Sequence, residues 1–212
     1  MPRVSPHRQR REFSPKKRPG QDRSRATFDA VVQACTWLLP RLGYAGTTTN
    51  HIAERAGVNI ASLYEYFPGK DAIVAQVAER LVDRVLGRLA EGAPELTTAG
   101  ESNAVRVWIE LIHDTVAREK ALIAVFLTQV PYTNELEPIR NLGARLVEFS
   151  LDMRRHAGAR VRADLGGASL HLLINLVTST IMQIVTDPPA DVSQRELLDE
   201  LVRRVEAWTR PS

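Results

Sequence analysis

Residues 47–70, TTTNHIAERAGVNIASLYEYFPGK, contain polar side chains whose types and spacing indicate hydrogen bonding at the ends of helices. The Thr48 hydroxyl can accept a hydrogen bond from the free N–H groups at the start of a helix, which is predicted over about residues 49–56. Gly57 ends that helix because glycine tolerates the left-handed backbone that a sharp turn requires.

A second capping residue follows this turn. The Asn59 side chain can cap a helix predicted over about residues 60–67, and Pro68 and Gly69 stop that helix. A helix, a short glycine-containing turn and a second helix make the unit in which the second helix can lie in the major groove of B-DNA. The sequence therefore predicts a helix-turn-helix that binds DNA.

These residues resemble the TetR family of bacterial transcriptional regulators, whose pattern is approximately T-T-x-x-I-A-x-x-A-G-V-S-x-x-x-L-Y-x-Y-F-x-x-K-x-x-L. The specific part is the LYEYFPGK segment, residues 63–70, and the resemblance extends over about sixty residues from Arg23 to Val82. Asn59 replaces the usual Ser and can cap equally well. Ile60 stands where many members carry a polar or basic side chain, so its direct readout would be apolar contact, for instance with a thymine methyl.

The resemblance implies DNA-binding roles at nine positions. Thr48 and Tyr64 would bond phosphates, and Lys70 would bind one phosphate together with the free N–H groups of the next helix. Thr49 and Asn50 would lie near the DNA backbone or a base. The residues expected to face the groove are Ile60, Ala61, Ser62 and Tyr66.

The rest of the chain is predicted to be helical almost throughout. Apolar residues recur at spacings of three and four residues from Lys70 to about Glu91, which predicts an amphipathic helix. Gly92 and Pro94 should end that helix. Further helices are predicted over about residues 102–118, 119–129, 136–156, 162–185 and 193–209. The predicted fold is all-α with about nine helices, namely an N-terminal three-helix helix-turn-helix domain and a larger C-terminal helical bundle.

Three segments are expected along the chain. They are a disordered basic arm over residues 1–22, a DNA-binding domain over 23–69, and a ligand-binding and dimerisation domain over 70–212 in which 70–91 is a connecting helix. The first 25 residues hold nine Lys and Arg against two acids, whereas the remainder holds nineteen against twenty-three. The arm could lie along phosphates or enter a minor groove, or it could be a solubilising leader with no specific contact.

The larger domain of the family dimerises through its last two helices and holds an inducer pocket, so the resemblance implies a homodimer and a small-molecule effector. The helix predicted over 162–185 is apolar on most sides, which favours burial between its own core and a partner subunit. The alternative is that the last two helices close an intramolecular bundle.

Small-molecule sites are typically lined by aromatic side chains together with a few polar groups. The residues that offer it are Trp108, Ile112, His113, Phe126, Gln129, Tyr132 and Phe149. Asn175 and Ser179 belong to a polar line with His171 and Gln183, at four-residue steps along one helix. That line is either part of the ligand site or an interhelical hydrogen-bond network, within one subunit or at a dimer interface.

An enzyme is not expected, because nucleophile motifs, phosphate-binding glycine loops and metal-ligand clusters are lacking, and neither a cofactor nor a metal is predicted. The single Cys35 should pack in the core. No apolar run is expected to reach the roughly 18 residues that span a bilayer, and the first thirty residues lack a signal-peptide pattern, so a cytoplasmic protein is expected.

The predicted function is a sequence-specific transcriptional regulator that binds DNA as a homodimer. More narrowly, it would be a repressor released from a palindromic operator by a small apolar or aromatic effector. The alternative is an architectural or partner-binding helical protein that uses the helix-turn-helix without sequence preference.

Overall fold

A computed structural model gives the fold of the chain and describes residues 12–17, 20, 22–98, 103–156 and 167–209. Those residues form ten α-helices and one short 3-10 helix, with no β-strand among them, which confirms the all-α prediction. The count exceeds the nine expected helices because the segment predicted as one helix over 136–156 forms two. The chain divides into two compact units, Met1–Ala78 and Glu79–Ser212.

The first unit is built on three helices and the beginning of a fourth, which are α1 (Asp22–Gly46), α2 (Thr49–Ala56), α3 (Ile60–Tyr66) and α4 (Lys70–Thr98). Helix α1 packs against both α2 and α3. An aromatic cluster joins them, because the Phe28 ring stacks on Phe67 at 4.7 Å and meets Tyr66 edge-on at 6.2 Å. Cys35 is fully buried in the same core, and burial raises the pKa of its thiol to about 12.

Helix α1 contains Pro40 and bends after it, at Gly43. Gly43 has φ 69° and ψ 173°, a conformation essentially confined to glycine. After the bend, the Tyr44 hydroxyl donates to Asp71 Oδ1 at 2.7 Å, which ties the end of α1 to the start of α4.

The boundary between the units falls inside α4, later than the boundary predicted after residue 69. The first two turns of α4 belong to the first unit because most of their side chains are buried, including Ala72, Ile73 and Val77.

The second unit contains the remainder of α4 and six further helices. They are α5 (Ala104–Arg118), α6 (Lys120–Thr128), α7 (Glu137–Arg140), α8 (Leu142–His156), α9 (Gly167–Thr186) and α10 (Gln194–Thr209), with the 3-10 helix Thr133–Glu135 before α7. Helix α9 is central, because it packs against α5, α6, α8 and α10. Its buried face is formed by Leu170, Ile174, Val177, Ile181, Ile184 and Val185.

Helix α4 continues to Thr98, so the prediction that Gly92 and Pro94 interrupt it is wrong. A Cβ atom at residue 92 would lie 2.5 Å from Cδ1 of Leu111, on α5. The glycine therefore serves close packing between two helices, and its helix penalty of about 1 kcal/mol is overridden by tertiary contact.

Polar contacts join elements of the second unit that are distant in sequence. The Arg84 guanidinium donates to both carboxylate oxygens of Glu119, at 3.0 and 2.9 Å, and this contact holds the pKa of Glu119 below its usual value. Arg106 similarly donates to Asp199 at 2.8 Å, which links α5 to α10. Helix α10 starts with a capping box, since the Glu196 N–H donates to Ser193 Oγ at 3.2 Å while the Ser193 N–H donates to the Glu196 carboxylate at 3.0 Å.

The expectation about apolar runs needs correction at α9. This 20-residue helix has a mean hydropathy of 1.5 and is long and apolar enough to cross a membrane by length and composition. It passes because it contains no Asp, Glu, Lys or Arg. The core helix of a soluble protein can pass the same test.

Candidate nucleic-acid interface and effector region

The two helices of the predicted DNA-binding motif are capped by the residues that the sequence indicated. Thr48 Oγ accepts from the His51 N–H at 3.2 Å, and Asn59 Oδ1 accepts from the Ala61 N–H at 2.8 Å. Between the helices, Gly57 adopts the left-handed conformation with φ 65° and ψ 29°. The Val58 N–H then donates to the Ala53 carbonyl at 3.0 Å, which closes the turn. Local hydrogen bonds thus hold α3 at a fixed angle to α2.

Tyr64 and Thr49 form a polar pair across these helices. Their hydroxyl oxygens lie 3.1 Å apart, and the Tyr64 side chain is 42% exposed. Two adjacent hydroxyls can both donate to one anionic oxygen, because each rotates its hydrogen freely. The pair therefore has the chemistry of a phosphate contact.

Most of the other predicted DNA-binding residues are also accessible. Thr48, Asn50 and Ala61 are exposed, while Ile60 and Ser62 are partly buried. Accessible side chains on α3 and at the start of α2 form the surface of the motif, and we call this set, with Thr49 and Tyr64, the outer face.

Tyr66 does not lie on the outer face, contrary to the prediction. It is only 8% exposed and its ring packs edge-on against Phe28. The reason is helical spacing: Tyr66 follows the fully buried Leu63 by three residues, so both side chains project to the same side of α3.

Lys70 lies at the start of α4, as predicted, but its ammonium is engaged within the first unit. It donates to the Tyr44 carbonyl at 2.8 Å and lies over the Tyr44 ring at 3.9 Å. Burial lowers the pKa of Lys70, against the opposing effect of Asp71. At most two of its three N–H donors remain for a phosphate.

Residues 12–17 differ from the expectation of a disordered arm. The Lys16 backbone N–H donates to the Tyr66 carbonyl at 2.7 Å, and the Lys16 ammonium donates to the Tyr64 carbonyl at 3.2 Å. This segment is ordered because it supplies partners to the carbonyls at the end of α3. Residues 1–11 lie outside the described residues, so the prediction for them stays a prediction.

Sequence reasoning also missed polar groups on α1 and α2. His51 Nδ1 lies 3.0 Å from the Gly46 carbonyl, so this nitrogen must carry the proton that the carbonyl accepts. The guanidinium groups of Arg41 and Arg55 lie 3.9 and 3.6 Å from the centre of the Trp37 ring. The spacing of Trp37 and Arg41 on one helix could have indicated the first of these contacts.

The predicted effector residues are only partly brought together. The Trp108 and Phe149 rings stack at 5.9 Å with their planes 19° apart, which joins α5 to α8. Ile112, Phe126 and Tyr132 are buried in the core of the second unit.

Three predicted effector residues are exposed instead: Gln129, Asn175 and Ser179. Asn175 donates to the His171 carbonyl of its own helix at 2.8 Å. Asn175 and Ser179 lie on the surface because the opposite face of α9 fills the core.

His113 lies partly buried beside a surface cleft of about 460 Å³ between α5 and α10. Its Nδ1 is 3.1 Å from Asp114, and its Nε2 is buried without a hydrogen-bond partner. The cleft is lined by Arg106, Glu110, His113, Gln194, Arg195, Leu198 and Asp199, so its lining is mainly charged. Among the described residues, no group of three or more His, Cys, Asp or Glu side chains is placed to hold a metal ion.

The capped helix-turn-helix with an accessible second helix, in an all-α chain, defines the class of helix-turn-helix DNA-binding regulators. A family model described as bacterial regulatory proteins of the tetR family matches residues 38–77, which span the motif and the start of α4. Over these residues the chain is similar to the TetR family of transcriptional regulators. Regulators of this family bind DNA and are generally not enzymes.

Individual relatives are distant in sequence. The uncharacterised HTH-type transcriptional regulator YuxN of Bacillus subtilis is 21% identical over 181 residues, which cover 83% of this chain and 60% of YuxN. The chain thus spans less than two-thirds of that relative's length.

Solved structures show the same fold. A TetR-family regulator from Mesorhizobium loti has a TM-score of 0.65 at 17% identity, with 89% of this chain and 97% of that chain covered. One from Rhodococcus has a TM-score of 0.64 at 16% identity, with 88% and 100% covered.

Proposed function

We propose that this regulator is a repressor that binds a palindromic operator as a homodimer and leaves it when a small apolar or aromatic effector binds. The observation that carries the DNA-binding part is the outer face, where the Thr49 and Tyr64 hydroxyls lie together beside accessible residues of α3. A capped, rigid motif of this kind positions few side chains against DNA. The sequence specificity of binding therefore depends on two copies of the motif, one in each subunit, which contact two half-sites about 34 Å apart.

A competition experiment tests the operator proposal. Selection of duplexes from a random pool, followed by competition against unselected duplex, should give one palindrome bound roughly 10³-fold or more tightly at physiological salt. Equal affinity for all duplexes would instead support the alternative, an architectural protein without sequence preference.

The dimer proposal rests on an apolar face of α9 that is exposed among the residues the structure describes. Leu172 and Leu176 are 52% and 47% exposed and lie one turn apart, and Trp208 on α10 is 45% exposed. Asn175, Ser179 and Gln183 are exposed on the same side of α9, at helical spacing from the two leucines. We therefore assign this polar line to the subunit interface rather than to the effector site.

Charge substitution on this face tests the assignment. Leu172→Arg together with Leu176→Arg should convert the dimer to monomer, since two buried arginines on each side of a symmetric contact are unpaired. Leu127→Arg is the matched control, because Leu127 is equally exposed at 55% but lies on α6. A double variant that remains dimeric by sedimentation would overturn the proposed interface.

The effector site is proposed around the Trp108 and Phe149 stack. Two aromatic rings from different helices offer a flat apolar ligand a place to insert, and the buried Ile112 of α5 and Phe126 of α6 would supply further apolar wall. Helix α4 is continuous from Lys70 to Thr98, so it is the covalent route by which a change in the second unit reaches the DNA-binding motif. Coupling of about 1–3 kcal/mol would lower DNA affinity about 5- to 150-fold.

A co-purified molecule would identify the effector. Mass spectrometry of protein kept under non-denaturing conditions should detect a bound compound in the unmodified chain and in Leu127→Ala, and lose it in Trp108→Ala. A folded Trp108→Ala variant that retains the compound would place the site elsewhere. The proposed location for such a regulator is the cytoplasm, where its DNA is.

A further inference from the structure

We propose that the Arg88 guanidinium on α4 binds a carboxylate, so that the effector of this regulator is an apolar carboxylic acid. The inference rests on the proposed function, because it names the chemical class of the effector and adds a polar contact to the proposed aromatic site. The residue from which it starts is an arginine whose buried donor is left unpaired within the described part of the chain.

Arg88 is a partly buried residue with one enclosed donor. Its Nη1 atom is inaccessible to solvent, and no atom of the described residues accepts a hydrogen bond from it. A buried donor without a partner is unfavourable, and more so when the group is charged. This position is therefore stable only when an acceptor reaches it, and the two candidates are a water molecule and an anionic ligand.

The charges around Arg88 favour an anion over water. The Arg84 guanidinium donates to both carboxylate oxygens of Glu119, so that carboxylate is already occupied. The hydrogen bonds from Arg84 lower the pKa of Glu119 most, and the Arg88 charge lowers it further, so Arg88 lies near the same carboxylate. In this group of three charges, two arginines face one carboxylate, which leaves one positive charge for a ligand to neutralise.

A carboxylate fits this position better than other anions. Its two oxygens match the parallel N–H groups of a guanidinium, and such charge-assisted hydrogen bonds are about twice as strong as neutral ones. A phosphate group carries about two negative charges at neutral pH, whereas the group of three charges has one to neutralise. Arg88 is only partly buried, so its long side chain can shift to meet a carboxylate.

Two contacts establish the direction of α4 relative to α5. Gly92 meets Leu111, because a Cβ atom at residue 92 would lie 2.5 Å from Cδ1 of Leu111. Arg84, eight residues before Gly92, pairs with Glu119, which follows Leu111 by eight residues. The two helices therefore run antiparallel, and Arg88 lies one turn from Gly92 on the Glu119 side.

Arg88 and the proposed aromatic site lie on either side of this contact. Arg88 is four residues from Gly92, and Trp108 is three residues from Leu111 in the opposite axial direction. At about 1.5 Å per residue, Arg88 and Trp108 are separated by about 10 Å along the helices. One ligand can therefore place its apolar end against the stack of Trp108 and Phe149 and its carboxylate at Arg88.

The contact is tested with two pairs of probes, each of which matches a carboxylate with its alcohol: decanoate with decanol, and phenylbutanoate with phenylbutanol. Calorimetric titration of the full chain at neutral pH should show at least one acid bound about tenfold or more tightly than its alcohol, as charge-assisted hydrogen bonds provide. Equal affinity of acid and alcohol in both pairs, or no binding by either acid, would overturn the inference.

Substitution of Arg88 should remove this preference. In Arg88→Gln the acid and the alcohol should bind within about threefold of each other, whereas Arg88→Lys keeps the charge without the planar fork and should give an intermediate ratio. The matched control is Arg118→Gln, which removes an exposed cation from the end of α5 and should keep the full preference. A full preference in Arg88→Gln would assign the acid to another residue and refute the proposed contact.

Stability gives a readout that is independent of any ligand. Arg88→Met replaces the unpaired guanidinium with an apolar side chain, so it should leave the midpoint of urea denaturation unchanged or raise it. Arg84→Met, one turn earlier on the same helix, removes the partner of Glu119 and should lower the midpoint. If Arg88→Met lowers the midpoint as much as Arg84→Met does, Arg88 has a structural partner within the chain and the inference fails.

The outcomes separate this inference from the proposed function. An acid that binds through Arg88 without releasing the protein from DNA would support the carboxylate site and refute only the effector-driven release. A co-purified effector without an acidic group would refute the inference and leave the regulator function in place. Trp108→Ala should weaken the acid and its alcohol equally, so this variant tests the aromatic site and not the Arg88 contact.

Discussion

The two compact units differ in how their functional residues are specified. In the first unit, the two helix caps and the left-handed glycine lie within residues 48–59, and they orient the outer face through local contacts. In the second unit, the aromatic stack and the ion pairs join residues that are 35 to 93 positions apart. Local contacts make a motif recognisable in sequence, whereas a site built from distant contacts can vary in position among relatives with the same fold.

The largest effect is expected when the aromatic cluster of the first unit is opened. Phe67→Ala removes a fully buried ring stacked on Phe28, so it should lower the free energy of unfolding by about 3–5 kcal/mol in urea denaturation and abolish DNA binding. The neighbouring Glu65 is exposed, and Glu65→Ala should change stability by about 0.5 kcal/mol at most. A loss below about 1 kcal/mol for Phe67→Ala would show that the cluster does not hold the motif.

A smaller effect should come from the distant ion pair of the second unit. Arg84→Gln removes the donors of a partly exposed pair and should cost about 1–2 kcal/mol at neutral pH. Because the folded pKa of Glu119 lies below its unfolded value of about 4.5, this stabilisation is present above that value and is lost as the pH falls through the folded pKa.

Denaturation of both chains across the acid range checks the sign of this effect. The difference in stability between the unmodified chain and Arg84→Gln should be constant from pH 7 down to about 5 and shrink below the unfolded pKa. A difference that grows on acidification would contradict the assigned cause.

Matched helix caps in the two units give the sharpest comparison. Thr48 caps α2 and Ser193 caps α10, each through an N–H three residues later at 3.2 Å. Replacing either residue with alanine should cost about 1 kcal/mol of stability. Only Thr48→Ala should also weaken binding to operator and random duplex, because the same hydroxyl lies on the outer face. Equal DNA affinity in the two variants, measured by gel shift, would remove Thr48 from the interface.

The smallest effect concerns two tyrosines of α3. Tyr64→Phe deletes an exposed hydroxyl and should reduce DNA affinity about threefold to tenfold, which corresponds to one hydrogen bond. Tyr66→Phe should change the affinity by less than about twofold, since this ring lies in the core. The reverse order of effects, in the same titration, would restore Tyr66 to the outer face.

The accuracy of the sequence predictions follows the range of the contacts involved. The bounds of α2, its Thr48 cap and the Gly57 turn follow from residues within four positions of one another, and the structure shows each of them. The burial of Tyr66 also follows from local spacing, because Leu63 and Tyr66 share one side of α3, whereas the carry-over from the family pattern places Tyr66 toward the groove.

The sequence predictions are wrong where the conformation of a segment depends on residues that are distant from it in sequence. The length of α4 depends on Leu111 packing against Gly92, and the order of residues 12–17 depends on carbonyls about fifty positions later. Neither partner leaves a periodic or compositional signal near the residue that it affects. The effector region is the extreme case, since stacked rings on α5 and α8 have no spacing rule that connects them.

The three tryptophans of the chain are distributed in a way that has a practical use. Trp37 lies beside two guanidinium groups near the helix-turn-helix, Trp108 is stacked on Phe149, and Trp208 is exposed on the last helix. Each indole therefore samples a different polarity and would emit at a different wavelength. Chains that retain one indole at a time would report operator engagement, effector entry and subunit pairing as separate optical signals, without any attached dye.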